Sequence, residues 1–316
     1  MTSDDYPIEL TPPDILPYRA GNTGVEYVTR FDSGTPGPHV LVTALVHGNE
    51  LCGAIALDFL MRAQVRPRRG VLTLAFCNVA AFHAFDPARP TASRFIDEDF
   101  NRVWSPEVLD GPRRSAELAR ARELRPIIDA ADFLLDIHSM QHCTAPLMLC
   151  GPLDKGRKFA REIGYPEIVV SDAGHAAGRR MRDYGGFGDP ASPKNALLVE
   201  CGQHWAAASA DVAKETMLRF LAHFRMLDPA FLAAHLPKAP PPQRLIEVTD
   251  AITIRSDNFR FVDDYRGMEV IPKGGTEIAR DGDQPVRTPY DQCVLIMPSR
   301  RLSKGQTAVR LGRFIG

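Results

Sequence analysis

"LVTALVHGNELCGA" (residues 41–54) decides the fold. Apolar, partly β-branched residues run to Val46, the chain turns through His47-Gly48-Asn49-Glu50, and an apolar pattern resumes at Leu51. A near-continuous apolar run reads as a strand covered on both faces, and a helix directly behind it makes a βα unit. Similar runs recur at 39–46, 71–77, 133–137 and 196–200, with helix-like segments at 52–64, 113–130 and 211–226. This alternation predicts an α/β fold with a mixed, largely parallel sheet and helices on both faces.

The helical texture ends near residue 236. "LPKAPPPQR" (236–244) cannot continue a helix and suits a stiff linker. Short β-like runs punctuated by turns follow, as in "LIEVTDAITI" and "TAVRLGRFI". The expected organisation is an α/β domain over 1–240, the part that bears the candidate catalytic groups, and a small all-β C-terminal domain or lid over 244–316.

Charge bounds the partners. The 316 residues carry 38 basic and 39 acidic side chains, a net charge of −1. No large field of one sign exists to attract nucleic acid or a membrane surface. The basic runs "RPRRG" (66–70) and "SRRLSKG" (299–305) read as solvated surface. The N-terminus has no apolar signal region, and no window approaches a membrane-spanning length. Six cysteines without a C-x-x-C pair read as reduced core residues of a cytoplasmic protein.

Three strand ends each deliver a chemically suitable group. In open α/β sheets, ligands bind at the carboxyl ends of strands, where His47 sits. The i, i+3 spacing is expected to place His47 and Glu50 on one face of the first helical turn. H-x-x-E is a short motif, and two ordinary polar residues at a strand end would look the same. "FLLDIHSM" (133–140) ends another strand, and period-2 alternation aims Asp136 and His138 to one side. His138 completes a His₂Glu set of the kind hydrolytic zinc enzymes use, with Asp136 able to fix the imidazole. His142 is a rival ligand, and a hydrogen-bonded strand-end histidine is the plain alternative. In "ALLVECGQHW" (196–205) Glu200 closes a third run; beside an activated water it is a general base, and otherwise a glutamate paired with some arginine.

"SRFIDEDFNRVW" (93–104) adds Arg94, Asn101 and Arg102. Arginine forks bind carboxylates bidentately and an adjacent amide adds a directional donor, although a surface loop with internal salt bridges has the same composition. His175 and His204 are pocket candidates or structural histidines. Trp104, Trp205, Phe220 and Phe224 read as packing.

Together these motifs resemble the succinylglutamate desuccinylase/aspartoacylase family, relatives of the zinc carboxypeptidases. That family shows H-G-N-E, then R-[YF]-I-D-x-D-[LF]-N-R, D-[LI]-H and a late V-E-x-G. Here they read His47 to Glu50, Arg94 to Arg102, Asp136 to His138 and Val199 to Gly202. The resemblance implies a carboxypeptidase-like catalytic domain and a C-terminal domain like a barrel-sandwich hybrid. "DGDQPVRTPYDQCVLIMP" (281–298) reads like a carrier loop of such a domain, without the lysine that attaches a cofactor. It further implies one Zn²⁺ per chain held by His47, Glu50 and His138, with Glu200 as the base. Arg94 would polarise the scissile carbonyl, and Asn101 and Arg102 would grip the α-carboxylate. Tyr290 would reach the mouth as a tyrosine of that domain does in relatives; a turn tyrosine beside Pro289 is the other reading.

One departure stands out. The mammalian aspartoacylase of the family has an arginine ten residues before the late glutamate and a tyrosine four residues earlier. Here those positions hold Pro190 and Gly186, with Arg179, Arg180, Arg182 and Tyr184 out of register. The expected activity is zinc-dependent hydrolysis of the amide of a small N-acyl amino acid. The rivals are a metallocarboxypeptidase acting on short peptides and a non-catalytic binding protein on the same fold. The acyl group, the amino acid and whether the chain forms a homo-oligomer stay open.

Overall fold

The sheet begins where the apolar runs begin. A computed structural model describes residues 6–174, 177–236 and 239–315. The strands of the α/β part are β1 (Val28–Asp32), β2 (His39–Ala44), β3 (Val71–Phe76), β4 (Phe133–Met140), β5 (Leu147–Leu149), β6 (Ile168–Ser171) and β7 (Asn195–Gln203). After the proline-rich stretch come β8 (Arg244–Thr253), β9 (Phe259–Phe261), β10 (Val270–Ile271), β11 (Glu277–Asp281), β12 (Gln284–Arg287), β13 (Cys293–Ile296) and β14 (Thr307–Ile315). One sheet runs in the order β1-β3-β2-β4-β7-β5-β6-β8-β14-β13-β10, and a second in the order β12-β11-β9. Strands β3, β2, β4 and β7 are mutually parallel, whereas the C-terminal part is antiparallel. This is the expected mixed α/β fold with an antiparallel all-β C-terminal part. Because β8 pairs in parallel with β6, the large sheet passes without a break from one part into the other.

Alternation along the strands explains the two covered faces. Val40 and Val42 of β2, with Leu135 and Ile137 of β4, pack with Leu57 and Leu60 of the helix Leu51–Arg62 and Phe220 of the helix Ala207–His223. Leu41 and Leu134 point the other way, into a core with Leu118, Ala121 and Leu124 of the helix Ala116–Ala130. Burying each such leucine stabilises the fold by roughly 1.5–3 kcal/mol. The same parity carries Asp136 and His138 to the face of Leu134, and Glu200 to the face of Ala196 and Leu198.

Two local differences from the sequence reading bear on the site. His47 and Glu50 are not in a helical turn: the helix starts at Leu51, and Glu50 is its N-cap at φ −97° and ψ 76°. The chain bends sharply off β2 through Leu45 at φ +61°, so both side chains are presented by the turn. Glu50 makes no capping bond, because its carboxylate is engaged elsewhere. Strand β4 also extends past 137 to Met140, since β7 keeps pairing with it, and the ladder sets His138 opposite Glu200. Among the described residues, no helix is long and apolar enough to cross a membrane.

Candidate active site

Three strand ends meet on the sheet face opposite the helix Leu51–Arg62. His47 Nδ1 lies 2.7 Å from Glu50 Oε1, and His138 Nδ1 lies 3.0 Å from Glu50 Oε2. The other nitrogen of each ring is held by an aspartate: His47 Nε2 by Asp99 at 3.0 Å and His138 Nε2 by Asp136 at 2.8 Å. Thr43 donates to Asp136 Oδ1 at 2.7 Å, fixing it in turn. Both Nδ1 atoms and a Glu50 oxygen thus face one point, and one donor atom from each of the three residues lies within 4.8 Å of the others. All three side chains are buried.

The electrostatics favour positive charge beside Glu50. Burial opposes the charge on Glu50, but His47 and His138 hold its carboxyl well below the ordinary range. Burial likewise opposes the imidazolium of His138, while Asp136 and Glu50 raise it well above the ordinary value. A buried ionised carboxylate is stable only when paired. Two imidazole nitrogens and one carboxylate oxygen, each ring braced from behind, fit a zinc ion as well as they fit protons. The turn that carries them needs Gly48, where a Cβ would fall 2.3 Å from the Ala81 carbonyl carbon and 2.5 Å from Phe82 N.

Glu200 stands beside this group on β7, across the ladder from His138. It is buried, and its Oε2 has no hydrogen-bond partner. Burial pushes its carboxyl up to about 8, with Glu50 adding to the effect and His138 and Arg94 pulling back. A carboxyl titrating near neutrality can both take and return a proton.

On the other side, Arg94 donates to Asp99 Oδ2 at 3.0 Å and reaches Glu50 Oε1 at 3.4 Å. Asn101 Oδ1 accepts from Met181 N–H at 2.9 Å, which leaves its NH₂ as the group able to bind. Arg102 donates to the Asn101 carbonyl at 2.8 Å, and its Nε has no partner. Close packing at Gly178 (φ +144°) holds Arg102, whose carbonyl oxygen would lie 2.3 Å from a Cβ there. All of these groups line one cavity of about 390 Å³, the size of a small-molecule site.

Most sequence candidates therefore converge, but Tyr290 does not. Its hydroxyl lies 2.6 Å from Thr249 Oγ1 and its ring packs in a separate C-terminal cluster with Ile271 and Leu295. His142 lines the cavity outside the His-Glu-His group, with burial pushing it down to about 4. His204 also lines it, bonded to Ser139 at 2.8 Å. His175 lies outside the described residues. Sequence reasoning assigns no role to Asp99, although it sits in the Arg94–Arg102 motif, nor to Arg301 and Arg310 of the C-terminal part, which also line the cavity. Arg301 belongs to the basic run read as solvated surface, and no local signal separates it from its neighbour Arg300.

Residues 36–224 match the succinylglutamate desuccinylase/aspartoacylase catalytic domain. The chain belongs to this family. It is a hydrolase of the deacylase type. A succinylglutamate desuccinylase of Pseudoalteromonas atlantica is 22% identical over 297 residues, which cover 85% of this chain and 79% of that protein. A succinylglutamate desuccinylase/aspartoacylase structure from Rhodobacter sphaeroides aligns at a TM-score of 0.63 and 18% identity, over 92% of this chain and 90% of that one. Murine aminoacylase 3 aligns at 0.60 and 18%, over 89% and 96%. At such identities the solved structures share the fold. The family match spans the whole His-Glu-His, Arg94–Arg102 and Glu200 constellation and ends before β8.

Proposed function

We propose that this member of the desuccinylase/aspartoacylase family hydrolyses the amide of a small N-acyl amino acid, giving a carboxylate and a free amine. The observation that carries the proposal is the unpartnered, buried Oε2 of Glu200 beside the His47-Glu50-His138 group. His47, Glu50 and His138 would hold one zinc ion, which when bound would supply the Lewis acidity that makes water a nucleophile near neutral pH. Glu200 takes the proton that water gives up and returns it to the nitrogen of the leaving amine. Arg94 donates to the oxygen that gains negative charge as the carbonyl is attacked. The NH₂ of Asn101 and the guanidinium of Arg102 hold the α-carboxylate, which fixes the amide in register with Glu200.

The division of labour follows the chain: residues 1–240 carry the chemistry and residues 244–316 narrow the mouth. Met297, Pro298 and Arg301 in the cavity wall support that division and favour small substrates over peptides. The test is amine release across matched panels of N-acyl amino acids and dipeptides, with zinc-loaded and chelator-treated protein. Chelator-sensitive release from N-acyl amino acids alone is expected. Release from dipeptides alone would make the protein a carboxypeptidase, and silence with zinc bound would make it a binding protein.

A further inference from the structure

A buried carboxylate stands behind the site rather than in it. Glu117, in the first turn of the helix Ala116–Ala130, is fully buried and does not line the cavity. Its carboxylate is met by four N–H donors. Asn78 Nδ2 at 3.0 Å and Ile96 N at 2.7 Å donate to Oε1, and Asp97 N at 3.0 Å and Glu98 N at 3.2 Å donate to Oε2. Three successive backbone amides thus wrap one carboxylate, the arrangement by which a loop is fastened to a buried acid.

These bonds reach both segments that carry site residues. Residues 96–98 are flanked by Arg94 and Phe95 on one side and by Asp99 on the other. Asp99 Oδ1 lies 3.0 Å from His47 Nε2, and Arg94 donates to Asp99 Oδ2 at 3.0 Å and to Glu50 Oε1 at 3.4 Å. Asn78, the other donor to Glu117, gives its backbone N–H to the Leu45 carbonyl at 2.8 Å, at the bend that leads into His47. The start of the helix returns the grip: Ala116 N donates to Asp97 Oδ2 at 2.7 Å, and Ser115 Oγ donates to Glu98 Oε1 at 2.5 Å. Asn101 and Arg102 are fastened elsewhere, to Met181 N–H and against Gly178.

We propose that Glu117 is a positioning residue, whose carboxylate holds residues 96–98 so that Arg94 and Asp99 converge on His47 and Glu50. The roles it serves rest on the amide-hydrolase reading above. Arg94 acts on the oxygen that gains charge, so a loosened 96–98 segment lowers kcat. Asp99 braces the His47 imidazole, so the same change weakens zinc binding. KM stays close to wild type, because the groups that grip the α-carboxylate are held by the 178–181 segment. Glu117→Gln keeps one acceptor oxygen and turns an NH₂ toward two of the four donors.

The experiment measures kcat and KM on an N-acyl amino acid that wild type hydrolyses, and zinc affinity by competition against a chromogenic chelator. The proteins compared are wild type, Glu117→Gln, Glu117→Asp and Leu124→Ala. The last hollows the core under the same helix without touching residues 96–98, and controls for lost stability. Glu117→Gln is expected to lose about 10- to 100-fold in kcat and in zinc affinity, the worth of such outlying support, with KM within about threefold of wild type. Glu117→Asp keeps both oxygens and should recover part of each loss. Leu124→Ala should melt earlier with kcat and zinc affinity unchanged. Wild-type kcat and affinity in Glu117→Gln, or equal losses in Leu124→Ala, would overturn the proposal. If wild type hydrolyses no amide, the amide-hydrolase reading fails separately, and zinc affinity alone decides: a loss in Glu117→Gln sustains the positioning role and no loss overturns it. If Glu117→Gln does not fold, hydrogen exchange on wild type decides. Protection of the Ile96, Asp97 and Glu98 amides as deep as in the helix Ala116–Ala130 sustains the proposal, and free exchange of these three overturns it.

Discussion

Asp136 Oδ2 lies 2.8 Å from Nε2 of His138, so Nδ1 is the nitrogen that the ring presents to Glu50. This brace makes a first prediction. Asp136→Asn should weaken zinc binding by about 10- to 100-fold, as loss of such a support does elsewhere. Competition against a chromogenic chelator reads this directly, and unchanged affinity would remove the brace from the account.

In the proposed mechanism Glu200 moves the proton and takes no part in holding the metal. Glu200→Gln should lower turnover by about 10²- to 10⁴-fold, the usual worth of a positioned acid–base. Zinc content should stay at one ion per chain. Steady-state rates with elemental analysis test the pair, and wild-type turnover in the variant would sink the mechanism.

Gly48 has no room for a side chain. A Cβ would lie 2.3 to 2.5 Å from backbone atoms of Ala81, Phe82 and Ser93, none of which can swing away. Gly48→Ala should cost about 1–3 kcal/mol, the range for overpacking, and should reduce zinc content because the same turn carries His47 and Glu50. Urea midpoints and metal content measure the two effects together.

Asp172 should make part of the stability acid-sensitive. Burial raises its carboxyl, but Arg180 and Arg310 outweigh that and bring it down to about 2 from 3.8. With the folded value depressed, the contribution is fully present above about pH 4 and is lost as pH falls toward 2. It amounts to about 2 kcal/mol. Removing one member of a buried pair costs about 3–5 kcal/mol, so Asp172→Asn should be that much less stable at pH 7. The gap from wild type should narrow below pH 4 in urea titrations; a gap that does not change with pH would refute the pairing.

Tyr290 should be dispensable for turnover. Its hydroxyl is committed to Thr249, so Tyr290→Phe should cost about 1 kcal/mol at most, the net worth of one hydrogen bond, with kcat and KM unchanged. A raised KM would return Tyr290 to the cavity.

Legibility followed the range of the interactions. The strands and helices were readable because each is set by apolar periodicity within a few residues: Val40 and Leu41 alternate between two cores as their spacing requires. His138 and Glu200 were legible as strand-end polar groups that a buried sheet does not tolerate without a reason. The turn at His47 was misread as helix because Leu45 at φ +61° is a backbone choice that no residue preference announces. The role of Asp99 is not legible within its own motif because its partner His47 lies 52 residues away.

By itself the sequence determined the order of elements, the faces each would bury, the family, and the residue types offered at three strand ends. These follow from periods of 2 and 3.6 residues and from motifs a few residues long. Only the tertiary structure decided that β8 would join β6 in one sheet, that Tyr290 would bond within the C-terminal part, and that Arg301 would face the cavity. The reason is physical: a basic run is the same string in solvent or against a cavity. Its environment is set by which strands pair across the chain, and partners far apart in sequence carry no local mark of it.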